Sequence, residues 1–188
     1  MSSRVEVVCV SDLSPLRDAI GSQNTELVNQ LIEKDPENND FRDYVGSMFY
    51  CDTPPTEEPG TWCFVVSELI DILHLKSSEA GLSEDWKHFL IWDDYIQKVS
   101  PLVEVEALPC LKMLRDGRPL RGAVVDSSEG VLFSWITSTE IPELYASLNE
   151  IDVESFEDCW GLSEFHEDLL TVLHDIQAVK GNLVLTAI

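Results

Sequence analysis

Between Arg121 and Lys180 the chain runs for 58 residues, Gly122 to Val179, without a lysine or arginine, and that stretch holds thirteen aspartates and glutamates. A carboxylate taken out of water needs a cation or several hydrogen-bond donors to hold it. With no lysine or arginine of its own, the segment has to keep most of its acids in solvent, decorating a core. The charge is organised as well as large. Lys112, Arg115, Arg118 and Arg121, immediately before the segment, are a third of the twelve basic residues, set against 35 acids for a formal charge of −23 over 188 residues. A body so negative repels DNA, RNA and anionic membranes, and any binding partner is expected to be basic or neutral.

Acidity on this scale often accompanies disorder, but 44% hydrophobic residues, with five tryptophans and seven phenylalanines, is the composition of a chain with a core. One domain spanning 1–188 is expected at this length. The place for an internal boundary is 51–60, where Pro54, Pro55 and Pro59 stand with two glutamates in ten residues. Cys9, Cys51, Cys63, Cys110 and Cys159 are widely spaced and odd in number, which suits a reduced, cytoplasmic protein. No stretch reads as an export signal or a membrane span.

Period and punctuation predict an α+β fold, with packed helices and a mixed or antiparallel sheet that includes strands from both chain ends. Val5 to Val10 is β-branched and bounded by Ser11-Asp12, a short buried strand. Ser14 is expected to cap a short helix beginning at Pro15 and stopped by Gly21, and Asn24 to cap a second with Leu27, Val28, Leu31 and Ile32 as its apolar stripe. Helical spacing recurs in Phe41, Tyr44, Val45, Met48 and Phe49, then in Trp62, Val65, Val66, Leu69, Ile70 and Leu73. Lys76 to Gly81 reads as a turn, followed by a helix from Ser83 bearing Trp86, Phe89, Leu90, Tyr95 and Val99. Val103-Glu-Val-Glu alternates like a strand, Asp116-Gly117 reads as a turn, and Ala123 to Asp126 is expected to form a hairpin with Val131 to Thr137. A helix from Thr139 to Leu148 with Glu140 and Glu143 in its first turn follows. The last helix has Ser163 as its cap, Phe165, Leu169, Val172, Leu173, Ile176 and Val179 as its inner face and Gly181 as its left-handed stop, before the strand from Asn182 to Ile188.

Motifs that carry catalysis or cofactors are absent: there is no Cys-x-x-Cys, His-x-x-x-His, HExxH, GxSxG, Walker loop or GxGxxG. No metal and no cofactor is expected. His166 and His174, roughly 12 Å apart along a helix at 1.5 Å per residue, are too far apart to share an ion and are expected at the surface. Cys159 near His166 lies among Glu154, Glu157, Asp158 and Glu164, which disfavour a thiolate, and Cys110 has no histidine close in sequence, so neither reads as a nucleophile. Adjacent carboxylates such as Asp93-Asp94 point about 100° apart on a helix and carry no specificity.

Asp12 to Ser22, together with the closing helix, glycine and strand that end in Gly181-Asn-Leu-Val-Leu-Thr-Ala-Ile, resembles the two ends of a group of small bacterial proteins of unassigned function. The resemblance covers about thirty residues at packing and capping positions. It implies a single bacterial domain of α/β type and no chemistry.

Three readings fit the acidic segment: a solvated surface that keeps the protein soluble, a docking face for a basic protein, and a nucleic-acid mimic with carboxylates spaced like phosphates. The functional expectation is the second, a non-catalytic acidic protein of immunity or antitoxin type. Its contact face is Glu143, Glu150, Asp152, Glu154, Glu157, Asp158, Glu164 and Glu167. The alternative is a module binding a small molecule or anion, conceivably an enzyme, centred on Lys112, Arg115, Arg118 and Arg121. Guanidinium forks around a turn suit phosphate or carboxylate. Against it stands the simpler role of neutralising the protein's own acids.

Overall fold

Three strands of the sheet are apolar on both faces and need cover on both sides, and the described residues supply it with two groups of four helices. The computed structural model describes residues 5–50, 59–80, 89–121, 133–152, 156 and 161–187. Along the chain come β1 (Val5–Val10), α1 (Ser14–Ala19), α2 (Thr25–Ile32), α3 (Asn39–Tyr50), α4 (Pro59–Ile72), β2 (Lys76–Ala80) and α5 (Phe89–Val99). They are followed by α6 (Leu108–Asp116), β3 (Phe133–Ile136), α7 (Ile141–Asn149), α8 (Leu162–Ala178) and β4 (Asn182–Ala187). The sheet order is β2-β1-β4-β3 and all three pairings are antiparallel. The fold class is the expected α+β, with the first and last strands paired at the centre of the sheet.

Successive side chains of a strand point to opposite faces, and the core divides accordingly. Val7, Cys9, Ile136, Leu183 and Leu185 pack with the inner faces of α5 to α8, while Val8, Val10, Phe133, Trp135 and Val184 pack with α1 to α4. Three layers result, helices on either side of one sheet. The double burial explains why β1, β3 and β4 read as near-continuous apolar runs rather than as alternations.

The edges needed different chemistry. β2, read as a turn from Lys76-Ser-Ser-Glu, is an edge strand, where charged and polar side chains discourage further pairing. Its register slips by one residue beside Cys9 and Val10, and the Ser77 hydroxyl there donates to the Cys9 carbonyl at 2.9 Å. The outer edge of β3 is shielded by the chain after α6: Arg118 N–H donates to the Phe133 carbonyl at 3.2 Å, and the Trp135 indole N–H donates to the Pro119 carbonyl at 3.3 Å.

Helix starts and stops follow the sequence in outline and depart from it in detail. Asn24 caps α2 as expected, its Oδ1 accepting from Glu26 N–H and Leu27 N–H. Ser14, in contrast, is the first residue of α1 rather than its cap, and its N–H is held by the Asp12 carboxylate at 2.8 Å. Ser163 lies inside α8, which starts after Gly161. The left-handed residue that ends α8 is Lys180, with φ 54°, and not Gly181. Lys180 N–H bonds Gln177 O and Gly181 N–H bonds Ile176 O, the paired closure of a Schellman motif. His74, with φ 52°, ends α4 in the same way through His74 N–H to Asp71 O and Leu75 N–H to Ile70 O. Gly181 is glycine for a different reason: a Cβ there would overlap the Cys9 sulfur. Val179, expected in the core, is 57% exposed.

The 101–107 region is the largest correction. Val103-Glu-Val-Glu forms turns rather than a strand, with Val105 left in solvent, and α6 occupies a stretch where no helix was expected. Pro109 in its first turn suits a helix start. Asp116-Gly117 therefore closes a helix, Gly117 serving as its C-cap at φ 83°, a conformation glycine adopts without strain. Of the expected hairpin only β3 falls within the described residues, and it pairs with β4. The proline-rich segment 51–58 and the start of the helix expected from Ser83 lie outside the described residues.

Candidate functional site

Two charged regions and one buried polar pair are the chemistry the fold assembles. The basic residues come first. Arg115, in the last turn of α6, makes a two-pronged pair with Asp93 of α5, Nε to Oδ1 at 2.7 Å and Nη2 to Oδ2 at 3.2 Å, and also reaches Asp116 at 3.2 Å. These carboxylates raise its pKa further. Arg118 gives Nη1 to Glu140 Oε2 at 2.7 Å and lays its guanidinium over the Trp135 ring, 3.7 Å from the centroid. Arg17, far away in sequence, covers the same ring at 4.5 Å. Arg121 turns to the carbonyls of Ile20 and Arg17 at the end of α1, satisfying acceptors that a helix terminus leaves open. Lys112 is exposed and makes no ion pair among the described residues. The three arginines thus disperse onto separate sets of partners rather than converging on one vacant point.

Glu140 is the hub that sequence reasoning missed. Its Oε2 accepts from Thr137 N–H at 2.9 Å, from the Thr137 hydroxyl at 2.6 Å and from Arg118, while Glu140 N–H and Ile141 N–H bond back to the Thr137 carbonyl. The Glu140 carboxylate on Thr137 N–H is one half of a capping box, while the Thr137 hydroxyl donates to the same carboxylate instead of accepting a helix N–H; Thr137-x-x-Glu140 carried the signature in sequence. α7 starts at Ile141 with Glu140 as its N-cap residue, two residues later than the expected start at Thr139. Burial opposes ionisation of Glu140, but the bonds from Arg118 and Thr137 outweigh it and leave the pKa lowered.

The acids of the proposed contact face are disposed differently. Glu143 and Glu150, seven apart, share one face of α7 and its end, and Glu164 and Glu167 share the outer stripe of α8; all four are exposed. None of the four has an ion-pair partner among the described residues. Asp152 is also exposed, and Glu154, Glu157 and Asp158 lie outside the described residues. α7 and α8 pack against each other through their apolar faces.

Beneath this acidic layer sits His166, expected at the surface but fully buried. Its Nδ1 lies 2.6 Å from the Tyr95 hydroxyl, and its Nε2 has no hydrogen-bond partner among the described residues. Phe156 and Phe165 pack around the pair, with Phe156 5.2 Å from the His166 ring and Phe165 4.8 Å from that of Tyr95. Burial holds the imidazole below its ordinary pKa and pushes the Tyr95 phenol up. The signal was present in the sequence: position 166 follows Phe165 and precedes Leu169 on the inner stripe. His174 is exposed, as expected.

Three cysteines fall among the described residues. Cys9, Cys63 and Cys110 are free thiols. Burial pushes Cys63 up to about 12, and Cys110 is raised by burial and by Glu140. Cys159 lies outside the described residues. No three His, Cys, Asp or Glu side chains cluster as metal ligands among the described residues, and no helix there is long and apolar enough to cross a membrane. An open groove of about 510 Å³ lies where α2 and α4 end, and the lysines near it are paired, Lys34 with Glu68 at 3.5 Å and Lys76 with Asp71 at 2.9 Å. No protein-family model matches the chain, and neither does any curated protein or solved structure.

Proposed function

We propose that this chain is a non-catalytic protein that binds a basic partner protein through the acidic face of α7 and α8, in the manner of an immunity or antitoxin protein that occludes a basic enzyme. The observation carrying this reading is an asymmetry of pairing. Glu143, Glu150, Glu164 and Glu167 stand in solvent without a cation among the described residues, whereas Arg115 and Arg118 are engaged by the protein's own carboxylates. Fields from such a surface speed the encounter with a cationic partner and lose that effect in salt. The dispersal of the arginines onto separate partners favours this reading over an anion-binding module centred on Lys112, Arg115, Arg118 and Arg121.

The test is capture from native lysate by the immobilised chain and by a Glu143→Gln/Glu150→Gln/Glu164→Gln/Glu167→Gln variant. A basic protein held at low salt, released at high salt and missing from the variant is the expected outcome. Equal capture by both proteins contradicts the assignment of the surface.

A further inference from the structure

We infer that the connection between α5 and α6, residues 101–107, forms the centre of the docking surface together with the outer face of α7. Its occupant is a cationic segment of a partner protein that interleaves apolar side chains with its lysines or arginines. The inference rests on the partner-binding reading above and adds to it a location and an apolar component.

Leu102 is 52% exposed and Val105 80%, two of the four large hydrophobic residues that stand out in solvent among the described residues, and they are three positions apart. They are not on a loose tether. Val103 between them is buried, Leu102 N–H and Val103 N–H both bond the Val99 carbonyl at 2.8 and 3.0 Å, and Ala107 N–H bonds the Glu104 carbonyl at 3.1 Å. The loop is also fastened sideways, Glu104 N–H donating to the Ser147 hydroxyl of α7 at 2.8 Å. Residues 143, 147 and 150 fall on one face of a helix, so that bond seats the loop between Glu143 and Glu150. The apolar pair therefore stands among four exposed carboxylates, Glu104, Glu106, Glu143 and Glu150, none of which has an ion-pair partner among the described residues.

An apolar centre with a charged rim is the anatomy of a protein contact, and a loop already held in place loses less freedom on binding. Charge selects the occupant. A second copy would bring the same four carboxylates against themselves, and an anionic lipid surface would be repelled, whereas a basic segment with apolar side chains answers both components.

The experiment uses the full chain and two labelled synthetic peptides of equal positive charge, one of lysine and leucine repeats and one of lysine and serine repeats, titrated by fluorescence anisotropy. About tenfold tighter binding of the lysine–leucine peptide is expected, the scale of burying one or two aliphatic side chains. In a Leu102→Ser/Val105→Ser variant with unchanged thermal stability, that preference should vanish while the lysine–serine affinity stays. A preference that survives these substitutions overturns the location and leaves the acidic reading standing. If Glu143→Gln/Glu150→Gln leaves both affinities unchanged, the acidic reading itself fails. Sedimentation showing a wild-type dimer that the Leu102→Ser/Val105→Ser variant loses would place a second copy on the patch and overturn the proposal.

Discussion

From α6 to Arg121 the guanidinium groups are turned onto the protein itself, to Asp93 and Asp116, to Glu140 and Trp135, and to the carbonyls that close α1. On α7 and α8, a few residues later, Glu143, Glu150, Glu164 and Glu167 face water with nothing of opposite sign against them among the described residues. The first region uses its charge to fasten elements together: α5 to α6, the β3 edge to α7, and the chain after α6 to α1. Those four acids of the second region fasten nothing among the described residues, and the helices that carry them are held by their inner faces. A run of charge in a sequence is therefore not the same as charge available for binding, and the more numerous sign is the one left over.

Breaking the distinction should be easiest at Glu140, an acid of the cation-free segment that behaves like the arginines. Glu140→Ala leaves Arg118 and two donors of Thr137 without their acceptor, and about 3 kcal/mol of unfolding free energy should be lost in urea denaturation. A loss no larger than that of a surface acid would dissolve the comparison. Next is His166, the buried basic group beneath the acidic layer. Its folded pKa lies below the unfolded value of about 6.5, so below that pH the unfolded chain binds more protons and stability falls as pH drops. A fall in midpoint between neutral pH and the upper end of carboxylate titration, smaller in His166→Gln, is the expected result.

Smaller effects sharpen the contrast. Arg121→Ala should cost about 1 kcal/mol through the opened carbonyls of α1, and Arg115→Ala about half that, because its partners are exposed. The least is expected of the four-glutamine variant, whose stability should stay within about 0.5 kcal/mol of the wild type or rise as repulsion is relieved. A loss comparable to that of Arg121→Ala would show that these acids also serve the fold.

Much of the layer structure was legible because it depends on periodicity. The stripes of α3, α4 and α8 and the two terminal strands are set by spacing alone. β2 was not, because an edge strand with one neighbour can be built from Lys-Ser-Ser-Glu, whose propensities point to a turn. The α6 region misled because Val103 is buried and Val105 is not, so the alternation reflects an anchored loop and a protruding residue rather than two faces of a sheet. The caps show both sides. Asn24 and Thr137-x-x-Glu140 act through local bonds a sequence displays, whereas Arg121 caps α1 from about a hundred residues away, where no local pattern reaches it. Of the candidate contact face, the exposure of Glu143, Glu150, Glu164 and Glu167 followed from helical phase, but their lack of ion-pair partners among the described residues required knowing where every arginine went.

The most direct measurement is the association rate of the captured basic protein against ionic strength, for the wild type and the four-glutamine variant. A steep fall with salt in the wild type, and a slower and nearly salt-independent rate in the variant, is the expected result. Identical slopes for the two proteins would contradict the claim that the acids of α7 and α8 are its docking surface.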